Sequence, residues 1–118
     1  MQINEDTNVV SVHGREALDL PYTRWTRDTV SEQVDISDAV IFIEIPAAGI
    51  RKRLIANPAD TRGLRIYLTR AEVALIPTTA TPYILIDETD EQFPTLELEG
   101  RIYRTGYTQE PFPAPSVP

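Results

Sequence analysis

The sequence contains no cysteine and a single histidine among its 118 residues. The absence of cysteine excludes disulfide bonds, thiol catalysis and cysteine-ligated zinc, and it leaves the redox compartment open. One imidazole excludes a histidine-rich metal site. The five glycines are scattered and form no phosphate-binding loop. No apolar run approaches the roughly 20 residues that a membrane-spanning helix needs.

Positive charge is also scarce, because the chain has 11 basic and 18 acidic residues and a net charge of −7. Nucleic acids and anionic membranes both attract basic surfaces, so the composition predicts neither as a partner. The one basic run, Arg51-Lys52-Arg53, is interpreted as a solvated hairpin end or an edge strand whose charges prevent further pairing. Residues 1–6 lack the basic and apolar regions of a signal peptide, which predicts a protein made and kept, or assembled, in the cytoplasm.

The length suits one domain, and the 42% content of hydrophobic residues is enough for a real core. A core of this size is thin, so much apolar surface stays near water. Surplus apolar surface is often covered by a partner, which makes the chain a candidate for assembly.

Short apolar stretches separated by turn signals predict a series of β-strands. The clearest covers residues 39–45, of which six are apolar, and is expected to be a central strand covered on both faces. Residues 64–68 alternate as in a strand packed on one side. Further strands are predicted over residues 8–12, 18–26, 29–34, 50–56, 83–87 and about 95–105, the last with a bulge or bend at Gly100.

One short helical turn interrupts this pattern. Thr69 and Glu72 have the spacing of a capping box, in which the threonine hydroxyl and the glutamate carboxylate each bond to the other residue's backbone amide. Pro77 stops further winding, and Val73 and Ile76 are expected to face the core.

Together these elements predict an all-β fold, a small antiparallel β-sandwich that is Ig-like or related. The predicted organisation is a flexible N-terminal arm over residues 1–7, a sandwich domain over residues 8–107 and an extended C-terminal tail over residues 108–118. The tail is Pro-rich, with four prolines in its last ten residues, and so cannot build a sheet interior.

The inventory of reactive groups is poor. A catalytic triad would combine His13 with a serine such as Ser11, Ser31 or Ser37, and none of these lies in a nucleophile elbow. Acidic residues cluster at 87–91 and share a strand face at Glu97 and Glu99, but they lack the pattern of a calcium loop and are interpreted as solvated. The sequence therefore predicts no enzyme, no catalytic residue, no metal and no cofactor.

Three aromatic residues are candidate partner-binding groups: Trp25, Tyr107 and Phe112. Trp25 is the best large anchor, with a place in the core as its favoured role. Phe112 lies between prolines in the tail, where it is typical of a docking peptide or of plain disorder. The tryptophan and tyrosines could alternatively form a platform for stacking sugar rings.

The stretch from Asp35 to Tyr107 resembles a small structural β-domain of tailed bacteriophages, including the N-terminal domain of baseplate upper proteins and domains associated with long tail fibres. The matching pieces are, in order, Asp35 to Ile45, a charged hairpin, Leu68-Thr69-Arg70-Ala71-Glu72, Tyr83 to Ile86, an acidic tip and Leu98 to Ile102. The resemblance covers about two-thirds of the chain and implies no catalytic residues.

The resemblance implies a non-enzymatic virion protein, assembled in the host cytoplasm, that joins neighbouring particle proteins in the tail, baseplate, fibre or neck region. Other virion proteins are the expected partners, in a homo-oligomer or multi-copy assembly without nucleic acid or membrane. One alternative is a capsid decoration protein or head-fibre base. An alternative of another class is a carbohydrate-binding module that recognises the host surface.

Overall fold

The computed structural model describes residues 8–105 in full and residues 2–4 as backbone. Most of these residues lie in strands, which confirms the predicted all-β fold. The strands are β1 (Gln2–Asn4), β2 (Val9–His13), β3 (Leu18–Tyr22), β4 (Arg24–Trp25), β5 (Gln33–Val34), β6 (Ile41–Ile45), β7 (Ile50–Arg53), β8 (Ile55–Ala56), β9 (Leu64–Leu68), β10 (Thr81–Asp87) and β11 (Thr95–Thr105). A 3-10 turn covers Pro46–Ala48, and the only α-helical turn in this part of the chain, α1, covers Arg70–Val73.

The strands form one large sheet and two small ones. The large sheet has the order β1-β2-β11-β10-β6-β7, a second sheet has the order β3-β9-β8, and β4 pairs with β5 in a short ribbon. All pairs are antiparallel except β2 with β11, which run parallel. The sheet is thus mixed where an antiparallel one was predicted. Most of the domain connects β2 to β11, so no hairpin dictates their relative direction.

The two larger sheets share one apolar core. It is built from alternate residues of strands in both sheets, together with Ile36, Leu54, Val73 and Ile76 from the connecting segments. The chain changes sheet at Leu54, because β7 belongs to the large sheet and β8 to the second one. The Leu54 side chain is buried and its amide donates to the carbonyl of Ile41 at 2.8 Å. Two sheets around one core are the arrangement of a β-sandwich.

Strand β6 is central, as predicted, since it pairs with β10 on one side and β7 on the other. Only one of its faces is in the core: Ile41, Ile43 and Ile45 are buried. Phe42 and Glu44 face the other way and are partly exposed, so the expected burial of both faces is wrong. The Arg51 guanidinium covers the Phe42 ring at 3.8 Å, and this cation–π contact replaces a second apolar layer.

The basic run lies at an edge, as the sequence predicted. Among the described strands, β7 pairs only with β6. Arg51 bonds to Glu44 and Glu88, each at 2.7 Å, and Lys52 bonds to Glu72 at 2.6 Å. Charged side chains along an edge strand oppose pairing with another chain.

The predicted capping box is present at α1. The Thr69 hydroxyl accepts from the Glu72 amide at 3.2 Å, and the Glu72 carboxylate accepts from the Thr69 amide at 2.8 Å. Val73 and Ile76 are fully buried, as expected from their spacing. The turn therefore closes one side of the core with two side chains.

Two segments differ from the sequence prediction, and a third lies outside the described residues. Residues 1–7 were expected to form a flexible arm, whereas Gln2–Asn4 form β1, which pairs with β2. Of the strand predicted over residues 29–34, only Gln33–Val34 form a strand in the structure. The end of the predicted domain, residues 106–107, and the tail at 108–118 lie outside the described residues.

Strand β11 does contain a bulge, but at Glu97 rather than Gly100. Leu85 is opposite Leu98 and Ile86 is opposite Leu96, so Glu97 is the extra residue of β11. Residues that face each other across a ladder share one face of the sheet, so the bulge places Leu96 on the face opposite to Leu98. The bulge thus breaks the regular alternation of side chains along β11 at Leu96.

Gly100 has a different role, a close approach of backbone. A Cβ atom at this position would lie 2.2 Å from the carbonyl oxygen of Asn8. The same oxygen accepts from the Tyr83 hydroxyl at 2.9 Å, which holds Asn8 in place, and Asn8 itself has a positive φ of 55°. Asn8 therefore fits against the sheet only because residue 100 has no side chain.

We expect Gly100→Ala to destabilise the fold by about 1–3 kcal/mol or more, because backbone must shift to admit the methyl group. Gly49→Ala is the matched control. Gly49 has a φ of 66° but open space around it, so that change costs only about 1–2 kcal/mol of backbone strain. Urea denaturation of the three proteins gives both values. Destabilisation of less than about 1 kcal/mol by Gly100→Ala would contradict the close approach.

Candidate interaction site

Trp25 is 52% exposed, so the core role that the sequence favoured for it is wrong. It lies on β4, which pairs with β5 in the short ribbon and belongs to neither large sheet. The indole N–H donates to the Thr23 hydroxyl at 3.0 Å, which fixes the orientation of the ring. The ring is therefore ordered and accessible at the same time.

An open depression of about 590 Å³ lies beside this ring. One wall comes from the segment around β4 and the other from the beginning of β11. Its lining residues are Tyr22, Thr23, Arg24, Trp25, Arg27, Thr95, Leu96, Glu97 and Leu98. Leu96 is 54% exposed, because the bulge at Glu97 places it on the outer face. We call this surface the Trp25 depression.

A polar network fixes the two walls to each other. The Arg24 guanidinium bonds to Asp87 at 3.0 Å and, through the same nitrogen, to Glu97. The Tyr22 hydroxyl donates to the other oxygen of Glu97 at 3.1 Å. Since Tyr22 is on β3, Arg24 on β4, and the two carboxylates on β10 and β11, the network connects all three sheets.

The network shifts the pKa values of its members. Burial, and next to it the negative charge of Glu97, raises the pKa of Tyr22 to about 12. Burial opposes ionisation of Asp87, but hydrogen bonds from Thr89 and Arg24 outweigh it and lower the pKa of that carboxyl. Burial of Arg24 is likewise outweighed by Asp87 and Glu97, which raise its pKa. All three shifts favour the protonation states that hold the network together at neutral pH.

The acidic residues at the end of β10 and just after it form hydrogen bonds and an ion pair with neighbouring residues. Asp87 accepts from the Thr89 amide at 2.8 Å, Asp90 accepts from the Gln92 amide at 3.0 Å, and Glu88 pairs with Arg51. Of the pair Glu97 and Glu99, only Glu97 joins the network, while Glu99 is exposed. Within residues 8–105, no three histidine or carboxylate groups are arranged to hold a metal ion.

Three of the four groups considered for a catalytic triad form local hydrogen bonds. His13 Nδ1 accepts from the Arg15 amide at 3.1 Å. The hydroxyls of Ser31 and Ser37 donate to the Thr26 carbonyl at 2.9 Å and the Asp35 carboxylate at 2.7 Å. These contacts stabilise turns.

The aromatic residues proposed as a sugar platform are dispersed. Tyr83 is buried, and Tyr67 lies near the charges of Lys52 and Arg65. Tyr103 is exposed near the end of β11, eight positions beyond its first residue. Tyr22 and Trp25 alone, among the described aromatic residues, line the Trp25 depression. Of the other predicted partner-binding residues, Tyr107 and Phe112 lie outside the described residues.

Sequence reasoning missed Arg24, Asp87 and Leu96 as parts of the site. Arg24 and Asp87 are 63 residues apart, and no local pattern connects them. Leu96 is exposed because of the bulge at Glu97, and the sequence carries no sign of that bulge. The one available signal was Trp25 beside Arg24 and Arg27, a mixture of aromatic and basic residues that is typical of interfaces.

Neither a known family model nor a curated protein sequence matches this chain. Within the described residues, no helix has the length and apolar character that crossing a bilayer requires. The fold and the Trp25 depression are therefore the observations from which a function can be inferred.

We expect two of the five tyrosines to ionise late in a spectrophotometric titration. Burial raises the pKa of Tyr83, like that of Tyr22, to about 12. Because both are raised from about 10, their stabilising contribution is complete below pH 10 and is lost as the pH rises from 10 to 12. Replacing Tyr83 with Phe should leave only one tyrosine with a raised pKa. If all five tyrosines ionised near pH 10, the burial of both hydroxyls would be contradicted.

Arg24→Met is expected to cost about 1–3 kcal/mol of unfolding free energy at pH 7, because two half-buried carboxylates lose their shared cation. This loss of unfolding free energy shrinks as the pH falls below about 4, the ordinary pKa of the Asp87 carboxyl, because that carboxyl then becomes protonated. Arg51→Met is the control, because its ion pairs are more exposed and their loss is expected to destabilise the fold less. Chemical denaturation at several pH values checks both, and equal costs would contradict the bridging role.

Proposed function

We propose that this protein is a non-enzymatic structural or adaptor protein of a tailed-phage particle, which joins neighbouring particle proteins through the Trp25 depression. The observation that carries the proposal is the pair of large apolar side chains exposed there, Trp25 and Leu96. Tryptophan in such a setting is a frequent anchor of protein interfaces. No chemical step is required of the site.

The rigidity of the depression supports a binding role. Arg24, Asp87 and Glu97 hold the two walls together, and the Trp25 ring is fixed by Thr23. A site that is ordered before binding loses less conformational entropy when its partner arrives. An exposed aromatic ring without such supports would have to be ordered at a cost of about 0.5–1.5 kcal/mol.

Two of the sheet edges, β7 and β3, are less suited to joining than the depression. The charges of β7 oppose pairing along that edge of the large sheet. Pro21 in β3, an edge strand of the second sheet, cannot donate a backbone hydrogen bond to an added strand. Side-chain contacts at the Trp25 depression are therefore the favoured mode of association.

The assignment to a phage particle rests on the resemblance of residues 35–107 to small structural domains of baseplates and long tail fibres. The net charge of −7 favours a protein partner over nucleic acid. A capsid decoration protein or head-fibre base is compatible with the same surface. Both versions place the protein in the virion, among other structural proteins.

We expect light scattering to detect recruitment of the purified protein into a particle-sized species when it is mixed with particle extract from a phage lysate. Trp25→Ala should weaken this association at least tenfold, as removal of an interface anchor does. Leu75→Ala is the control, because Leu75 is 60% exposed but does not line the depression. A monomer that joins nothing, or equal effects of both changes, would contradict the proposal.

A second candidate function, binding of a host-surface carbohydrate, is favoured by one observation: the Trp25 ring lies beside Arg27 and Glu97, which could bond to hydroxyl groups. Trp25 is the only tryptophan, so its fluorescence reports on this depression alone. A saturable change with a glycan, without recruitment to particles, would favour this function over the adaptor role.

A further inference from the structure

We propose that the Trp25 depression binds the Pro-rich segment, residues 108–118, of a second copy of this chain. Phe112 of one copy packs against Trp25 and Leu96 of the other, and Glu110 lies beside Arg27. The inference deepens the proposed function and rests on it, because it names the first partner of the same surface. It goes beyond that function by assigning the donor segment.

The apolar part of the depression suits such a segment. An exposed indole ring beside a leucine offers the kind of groove in which Pro-rich peptides are recognised. Prolines pre-order the peptide in an extended conformation with solvated backbone, so little entropy is lost on binding. Phe112 is flanked by Pro111 and Pro113 and supplies the single aromatic anchor after Tyr107.

Charge complementarity fixes the register. Arg27 is exposed, lines the depression and forms no ion pair within the described part of the chain. Glu110 is the only charged residue between positions 106 and 118. Phe112 lies two positions after Glu110, about 6 Å along an extended chain. The carboxylate can therefore reach Arg27 while the phenyl ring contacts Trp25.

Chain length favours a segment from another copy. Leu96 and Thr105 are nine residues apart on β11, which corresponds to about 30 Å along the strand. Phe112 follows Thr105 by seven residues, which reach at most about 25 Å when fully extended. To approach the Leu96 of its own copy, the segment would have to turn back along β11 and extend fully, whereas a segment from another copy is free of that constraint.

The contact is heterologous, because the depression of one copy receives the segment of the next. Such contacts close into a ring when the rotation between copies allows it, and otherwise continue as an open chain. Either outcome produces the multi-copy assembly that the proposed function requires. The apolar surface is covered in every copy of a closed ring, and in all but the terminal copy of an open chain.

The first test is charge reversal in the full-length protein, with self-association measured by sedimentation velocity over a range of concentrations. Arg27→Glu and Glu110→Arg should each weaken self-association about tenfold. The double variant should return to within about threefold of the unchanged protein, because the pair is restored with opposite polarity. Circular dichroism checks that the fold is unaltered. Failure of the double variant to recover would overturn the assigned register and with it the proposal.

The second test mixes two variants that each associate poorly alone. Trp25→Ala damages the depression and leaves the segment intact, whereas Phe112→Ala does the reverse. An equimolar mixture should form a heterodimer, since one copy offers a depression and the other a segment. Because Phe112 belongs to the Pro-rich segment and not to the described core, its replacement tests binding even where Trp25→Ala perturbs the fold. No heterodimer, or unimpaired self-association of either variant, would overturn the inference.

The outcomes separate this inference from the proposed function. A protein that is monomeric at every concentration, yet is recruited to particles through Trp25, overturns the inference and leaves the adaptor role standing. Self-association that follows the charge pair, without recruitment to particles, supports the inference and contradicts the adaptor role. Loss of both associations contradicts both.

Discussion

The structure depends on a single apolar core that two sheets must share. Neither sheet could bury its apolar face alone, because a domain of this size has little interior. The chain passes from one sheet to the other at Leu54, a buried residue between two short strands, so that both sheets contribute to the same core. The capped turn at α1 then adds Val73 and Ile76 to the same interior. Every other feature is positioned by these contacts.

The polar network at one end of the domain holds the β4–β5 ribbon against the large sheet and so forms the Trp25 depression. Arg24 holds carboxylates from two neighbouring strands of the large sheet, and Tyr22 adds a hydrogen bond from the second sheet. A short ribbon such as β4–β5 has no core of its own and would otherwise be marginal in water. The network keeps the ribbon against β11, and the result is an exposed tryptophan in a fixed place.

The distribution of apolar and charged side chains distinguishes the surface proposed to bind from an edge that opposes pairing. Charges on β7 discourage strand pairing, whereas Trp25 and Leu96 leave apolar area uncovered. A bulge at Glu97 accomplishes two things at once, since it brings that carboxylate to Arg24 and places Leu96 on the outer face. An assembly through this surface uses side chains and an extended segment, not a shared sheet edge.

The sequence by itself determined the elements that depend on neighbouring residues. The strand at 64–68, the last strand at 95–105 and the capping box of Thr69 and Glu72 all follow from period-2 alternation or three-residue spacing. Tertiary structure decided the parallel pairing of β2 with β11, the requirement for glycine at position 100 and the exposure of Trp25. Each depends on residues more than 60 positions apart that meet only after folding, such as Asn8 with Gly100 and Arg24 with Asp87. Local patterns predict which face of an element a residue occupies. They carry no information about such long-range contacts, because they do not show which distant residue packs against that face.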